Sequence, residues 1–119
     1  MLKKNQLPEK EEPLLEVPLA KMHGLVMREN VEEAFVLLER ALASCRQSQP
    51  RQERVVRDSM ERLNEAAMLL LKKGRHDVCL EVLRRCEVVT QPCEWGFFPD
   101  LRALIFNNLG CYYKRVDNT

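Results

Sequence analysis

The chain has 119 residues, and its 19 basic and 18 acidic side chains leave a formal net charge of +1. This length suits one domain, because single domains commonly contain about 100–150 residues. The near balance of charge provides no overall field that would attract nucleic acid, an anionic membrane or an acidic substrate, so the sequence predicts none of these partners.

The first segment, residues 1–14, is expected to be a disordered tail, because it is rich in charge and carries Pro8 and Pro13. Its lysines are not followed by an apolar segment, and the chain has no run of the roughly 18 apolar residues that a membrane span requires. The five cysteines are an odd number without the close spacing of a disulfide framework. They suit a reducing compartment, and a cytoplasmic protein is therefore expected.

Helical periodicity dominates the remaining residues, 15–119. Apolar residues recur at helical spacing in five segments, residues 19–27, 31–47, 55–71, 76–89 and 99–115. Asn30, followed three residues later by Glu33, predicts a capping box at the start of the second segment, and Gly74 predicts the end of the third. Short connections favour antiparallel neighbours, so the predicted fold class is all-α, with about five helices.

Two internal repeats indicate how these helices are arranged. Small, large and small residues at Ala34, Leu38 and Ala41 recur 45 residues later as Cys79, Leu83 and Cys86. The preceding helices align at an offset of 43, where Ala66, Ala67 and Leu70 correspond to Leu109, Gly110 and Tyr113. Because helices approach closely where small residues face each other, we predict stacked hairpins at residues 15–48 and 50–90 and a half repeat at 99–119, as a short α-solenoid.

These motifs resemble the tetratricopeptide repeat family. Leu109, Gly110 and Tyr113 match the leucine–glycine pair and the tyrosine of the family's first helix, and Phe106 lies where the family prefers a bulky aromatic residue. The spacing of 43 to 45 residues, longer than the usual 34 of the family, and the pair Asn107–Asn108 are similar to kinesin light chains and related adaptors. The resemblance implies a scaffold or adaptor, with motor, cytoskeletal or ciliary assemblies as its setting.

The resemblance also implies a binding groove along the first helices of the repeats. The positions that should line it and contact a protein or peptide partner are Asn64, Met68, Leu71, Lys72, Asn107, Cys111, Lys114 and Arg115. Asn107 and Asn108 each either hold the backbone of a bound peptide or cap or bond within the hairpin. The lysine–asparagine clamp of chaperone-binding relatives is not assembled, so we expect no docking of chaperone tails. The alternative function is a structural subunit of a fixed complex without a groove.

Neither a metal site nor an active site is predicted. Cys79, Cys86 and Cys93 recur every seven residues, about two helical turns apart, which is too far for one tetrahedral ion. Small buried side chains explain two of them better. His23 and His76 lie on different predicted hairpins, and the chain lacks phosphate-loop, HExxH and nucleophile-elbow motifs. We therefore expect no catalysis and no cofactor.

Two features leave further expectations open. Trp95, Phe97 and Phe98 cluster in the loop before the last helix, where they either seal the seam between repeats or form a docking surface. The last helix has no following partner helix, which predicts incomplete packing around Leu109, Cys111 or Tyr113. Self-association, packing on a larger assembly, or a longer parent protein would each cover that helix.

Overall fold

The computed structural model describes residues 19–92 and 96–117. Over these ranges the chain forms five helices, which we number α1 to α5. They comprise residues 19–27 (α1), Val31–Ser44 (α2), Gln49–Lys72 (α3), His76–Val89 (α4) and Pro99–Asp117 (α5). The all-α prediction is confirmed, and α4 has the predicted bounds. The predicted tail, residues 1–14, lies outside the described ranges.

The helices form two layers around one core. In the odd-numbered layer, the Nε2 of His23 on α1 lies 3.9 Å from a carboxylate oxygen of Glu65 on α3, and α3 in turn packs on α5. The even-numbered layer consists of α2 and α4, which also contact each other. A single cluster of buried apolar side chains runs through all five helices. None of the helices in the described ranges is long and apolar enough to cross a bilayer.

The turns of the two hairpins have the same geometry. Between α3 and α4, Gly74 adopts a φ of 84° and donates to Leu71 O, while Arg75 N–H donates to Leu70 O. Between α1 and α2, at positions 45 residues earlier, Glu29 adopts a φ of 68°. This is the Schellman motif, in which a residue in the left-handed region ends a helix.

The hydrogen bonds of the first turn complete that match. Glu29 N–H donates to Val26 O at 2.8 Å, and Asn30 N–H donates to Leu25 O at the same distance. Asn30 makes no side-chain cap bond, so the predicted capping box does not form. In a capping box the Glu33 side chain would also accept a hydrogen bond from the backbone N–H of Asn30. That N–H is already bonded to Leu25 O, so this second bond cannot form either.

The second helix of each hairpin also ends in the same way. The Sγ of Cys45 donates to Ala41 O at 3.1 Å, and the Oγ1 of Thr90 donates to Cys86 O at 3.0 Å. Cys45 and Thr90 are the C-cap residues of α2 and α4 and lie 45 residues apart. The repeat inferred from sequence therefore extends to both helix ends. α2 stops at Ser44, three residues before its predicted end at 47.

Ion pairs connect one hairpin to the next. Arg75 Nη2 lies 2.8 Å from Glu29 Oε1 and joins the two turns, and Arg85 Nη2 lies 2.8 Å from Glu32 Oε1 and joins α4 to α2. The guanidinium of Arg85 also lies 5.5 Å from the ring centroid of Phe35. The hairpins therefore stack with polar contacts at the surface and apolar contacts inside.

The loop before α5 divides its aromatic residues between core and solvent. Phe98 is 1% exposed and lies under the guanidinium of Arg57, whereas Phe97 is 65% exposed. Trp95, to which both sequence interpretations also applied, lies outside the described residues. The Nη1 of Arg57 lies 2.6 Å from Asp100 Oδ2, and this hydrogen bond lowers the pKa of the Asp100 carboxyl. Phe98 and Asp100 together fix the start of α5 against α3.

Candidate functional site

A groove runs between α3 and α5. It is lined by three residues from each helix, Met68, Leu71 and Lys72 from α3 and Cys111, Lys114 and Arg115 from α5, and its volume is about 410 Å³. We call it the α3–α5 groove. All six lining residues belong to the set of partner-binding positions predicted from the sequence.

Helical geometry explains why these six side chains converge. On each helix they occupy positions i, i+3 and i+4, which lie on one face. The three residues of α5 follow those of α3 at a constant offset of 43. The two helices point in the same direction, because Asn64 and Asn108 meet one turn before the groove on both of them. Equivalent faces of two repeats therefore lie side by side.

The groove has an apolar floor and a basic rim. Leu71 is buried, and Met68 packs partly buried against the core. The side chains of Lys72, Lys114 and Arg115 are exposed, and within the described ranges none of the three forms an ion pair. No lining residue carries a negative charge. Such a surface favours a ligand that supplies both apolar area and carboxylates.

The two asparagines that were predicted to line the groove, Asn64 and Asn107, do not line it. Asn64 is 3% exposed, and its Nδ2 donates to Met60 O at 2.8 Å. Its Oδ1 accepts a 2.8 Å hydrogen bond from the Nδ2 of Asn108. The amide of Asn64 therefore bonds inside the protein, and the expectation that it lines the groove is corrected. Asn107 is exposed but is not among the groove residues.

Sequence reasoning missed Asn108 as the partner of Asn64. The offset of 43 aligned Asn107 with Asn64, but the residue that points at Asn64 is the next one along α5. The sequence signal that could have identified Asn108 was the adjacent pair Asn107–Asn108, because two neighbouring residues of a helix point to different sides of it. Only one of these sides faces α3.

A second surface depression lies on α3 alone, next to Glu53, Arg57 and Asp58, with a volume of about 310 Å³. The charges of Glu53, Arg57 and Asp58 are already paired within the protein. Arg57 binds Glu53 and Asp100, and Asp58 lies 2.9 Å from Arg62 Nε. It offers a ligand less unpaired charge than the α3–α5 groove.

The buried cysteines act as small core residues. Cys79 and Cys86 are fully buried on α4, which confirms the packing interpretation for these two, and Cys93 lies outside the described residues. Burial raises the pKa of the Cys79 thiol to about 11 and raises that of Cys86 further. Among the described residues no group of three or more histidine, cysteine or acidic side chains is placed to hold a metal ion.

Comparisons of this chain with family models, with curated proteins and with solved structures find no match.

Proposed function

We propose that this chain is a non-catalytic adaptor or scaffold of tetratricopeptide type, which binds an acidic segment of another protein in the α3–α5 groove. The observation that carries the proposal is the combination of an apolar floor at Leu71 with the cations Lys72, Lys114 and Arg115, which form no ion pair within the described ranges. An extended segment with apolar residues flanked by aspartate or glutamate complements that surface.

The groove suits side-chain recognition better than recognition of a chain terminus. Its cations are spread over two helices, and the buried amide of Asn64 is not presented to a ligand. An internal acidic segment should therefore bind as well as a C-terminal one. Peptides with a free and with an amidated C-terminus distinguish these two modes, since only terminal recognition is abolished by amidation.

The test is a fluorescence-polarisation titration with three short labelled peptides that share their apolar residues and carry acidic, neutral or basic residues between them. We expect the acidic peptide to bind about tenfold more tightly than the neutral one, since three exposed ion pairs contribute about 0.2–1 kcal/mol each. The preference should weaken as salt is raised. Equal binding of all three peptides would refute the proposal.

Charge reversal locates the binding surface. Lys72→Glu combined with Lys114→Glu should abolish the preference for the acidic peptide. Lys73→Glu is the matched control for the single variant Lys72→Glu, because it changes the net charge equally and Lys73 is exposed at the next position of the chain but does not line the groove. If the control weakened binding as much as the groove variants, the net charge of the protein would be responsible, not the groove.

The second candidate function is a structural subunit of a fixed complex, which the exposed aromatic residues Phe106 and Tyr113 on α5 favour. Affinity capture followed by mass spectrometry separates the two functions. A groove adaptor should lose its partners when Lys72 and Lys114 are reversed, whereas a structural subunit should keep them. The resemblance to long-spaced repeat adaptors suggests motor and ciliary assemblies as the first place to look.

A further inference from the structure

One face of α5 carries apolar residues that the described chain covers only in part, through the guanidinium groups of Arg84 and Arg102. Ala103, Phe106, Gly110 and Tyr113 are spaced by three, four and three residues, so they lie along one side of the helix, and we call them the α5 stripe. Phe106 is 46% and Tyr113 is 41% exposed.

The corresponding face of α3 is completely covered. At the positions 43 residues earlier stand Met60, Leu63, Ala67 and Leu70, and their exposed fractions are 0%, 0%, 0% and 2%. The same spacing of apolar side chains is thus buried in one repeat and solvated in the next. Exposed aromatic side chains grouped in this way mark interaction surfaces.

Because Gly110 has no side chain, the surface of the α5 stripe is recessed at its centre. Apart from the surrounding backbone of α5, no atom of the described residues would lie within 4 Å of a Cβ atom at this position, so no contact within those residues requires glycine. Glycine within a helix costs about 1 kcal/mol relative to alanine. A glycine between two aromatic residues allows the backbone of another helix to approach closely, with the rings on either side.

We propose that the α5 stripe binds the α5 stripe of a second copy of this chain, with the two helices antiparallel and crossing at Gly110. Phe106 precedes Gly110 by four residues and Tyr113 follows it by three, about 6 Å and 4.5 Å along the axis. A two-fold axis at Gly110 therefore brings Phe106 of each copy against Tyr113 of the other. A symmetric interface requires this kind of self-complementary pattern.

The charges at the edge of the stripe also fit a second copy. Arg102, eight residues before Gly110, lies with its guanidinium 5.2 Å from the Phe106 ring centroid. Its Nη1 donates to Glu87 O at 3.1 Å and to Thr90 Oγ1 at 3.4 Å, but it has no carboxylate partner within the described ranges. Asp117, seven residues after Gly110, is exposed and has no ion-pair partner within the described ranges. Antiparallel pairing brings Arg102 of one copy near Asp117 of the other, and the two-fold axis produces this contact twice. The nearby Arg84 is already paired with Glu87 at 3.4 Å, and its Nη2 donates to the hydroxyl of Tyr113.

The expected interface is weak, because a single helix face buries less area than the roughly 1,200–2,000 Å² of standard stable interfaces. Dimers should accordingly form at tens to hundreds of micromolar. Sedimentation velocity of the full chain over that range should show a concentration-dependent monomer–dimer equilibrium. Phe106→Glu should raise the dissociation constant at least tenfold, whereas Phe97→Glu, the same change at an exposed phenylalanine outside α5, should not.

Disulfide trapping tests the register independently of those variants. In a background with Cys111→Ser and Cys93→Ser, Gly110→Cys should form an inter-copy disulfide under mild oxidation. Ala103→Cys alone should not, but Ala103→Cys together with Asp117→Cys should. A monomer at every concentration, or a dimer that Phe106→Glu and Tyr113→Glu leave unchanged, would overturn the proposal. Efficient trapping by Ala103→Cys alone would indicate parallel helices and overturn the antiparallel arrangement.

Discussion

The side chain of Asn108 on α5 donates a 2.8 Å hydrogen bond to the side chain of Asn64 on α3, and both residues are buried. The bond lies one helical turn before the α3–α5 groove and holds its two walls in register. Buried polar pairs of this kind stabilise only while both partners are present, because a lone buried amide loses its hydrogen bonds to water without replacement.

The asparagine pair should behave as a unit. Asn64→Leu or Asn108→Leu alone leaves one amide unsatisfied and should lower the free energy of unfolding by about 1–3 kcal/mol. The double variant replaces both amides by apolar groups with the same branching and should recover part of that loss. Urea denaturation of the wild type and the three variants measures the coupling. Additive losses would show that the hydrogen bond contributes nothing of its own.

Replacing Glu29 by glycine should stabilise the fold. Its φ of 68° lies in the left-handed region, which costs a non-glycine residue about 1 kcal/mol. Glu29→Gly removes that cost but also the surface ion pair with Arg75, which is worth less than about 1 kcal/mol. We expect a small net stabilisation in thermal melting.

Two companion variants separate the two contributions at this turn. Glu29→Ala keeps the backbone strain and loses the ion pair, so it should destabilise. Gly74→Ala, at the matching turn with a φ of 84°, introduces the strain and should cost about 1 kcal/mol. If Glu29→Gly and Glu29→Ala had equal melting temperatures, the backbone argument would be wrong.

The buried thiols should weaken the fold at alkaline pH. An unfolded cysteine titrates near pH 8.5, whereas the pKa of folded Cys79 is about 11. Between these values the unfolded chain releases a proton that the folded chain retains, so the free energy of unfolding falls as pH rises, by up to about 1.4 kcal/mol per unit for each such thiol.

Alanine substitution provides the control for this pH dependence. Cys79→Ala with Cys86→Ala copies the first repeat, where Ala34 and Ala41 occupy the corresponding positions. The variant should fold and should lose part of the alkaline slope that the wild type shows in denaturation curves between pH 8 and 11. An unchanged slope would assign the effect to tyrosines or lysines.

The loop before α5 offers a matched pair of aromatic residues. Phe98→Ala should lower the free energy of unfolding by about 3 kcal/mol or more, because it removes a large side chain from the core. Phe97→Ala should change it by less than about 0.5 kcal/mol, since that ring is mostly exposed. Chemical denaturation of both variants measures the free energy of unfolding. Similar losses in the two variants would contradict the conclusion that Phe98 lies in the core and Phe97 in solvent.

Much of this architecture could be predicted from the sequence, because it depends on the helical period of the apolar residues and on the spacing between the two repeats. The apolar spacing located all five helices, and the resemblance to the repeat family implied the six residues that line one groove, from Met68 to Arg115. The periodic signal was strong because each helix buries one face against its neighbours.

The sequence predictions failed at positions where the orientation or backbone conformation of a single residue determines the local structure. Asn107 and Asn108 differ by about 100° around the helix, and an alignment by repeat offset cannot show which of them faces α3. Glu29 gave no signal as a turn residue, since glutamate rarely adopts positive φ. Asn30 matched a capping motif in letters, but its N–H was already committed to the preceding helix.

The order of helix contacts has a mechanical consequence. From α2 onwards, each helix packs against the next one or two helices along the chain, as α3 does against α4 and α5. A load that pulls the chain lengthwise would therefore detach an outer helix while the remaining hairpin keeps its own contacts. Such a protein yields in steps and not in one rupture, so a link made from these hairpins would extend under tension before it breaks.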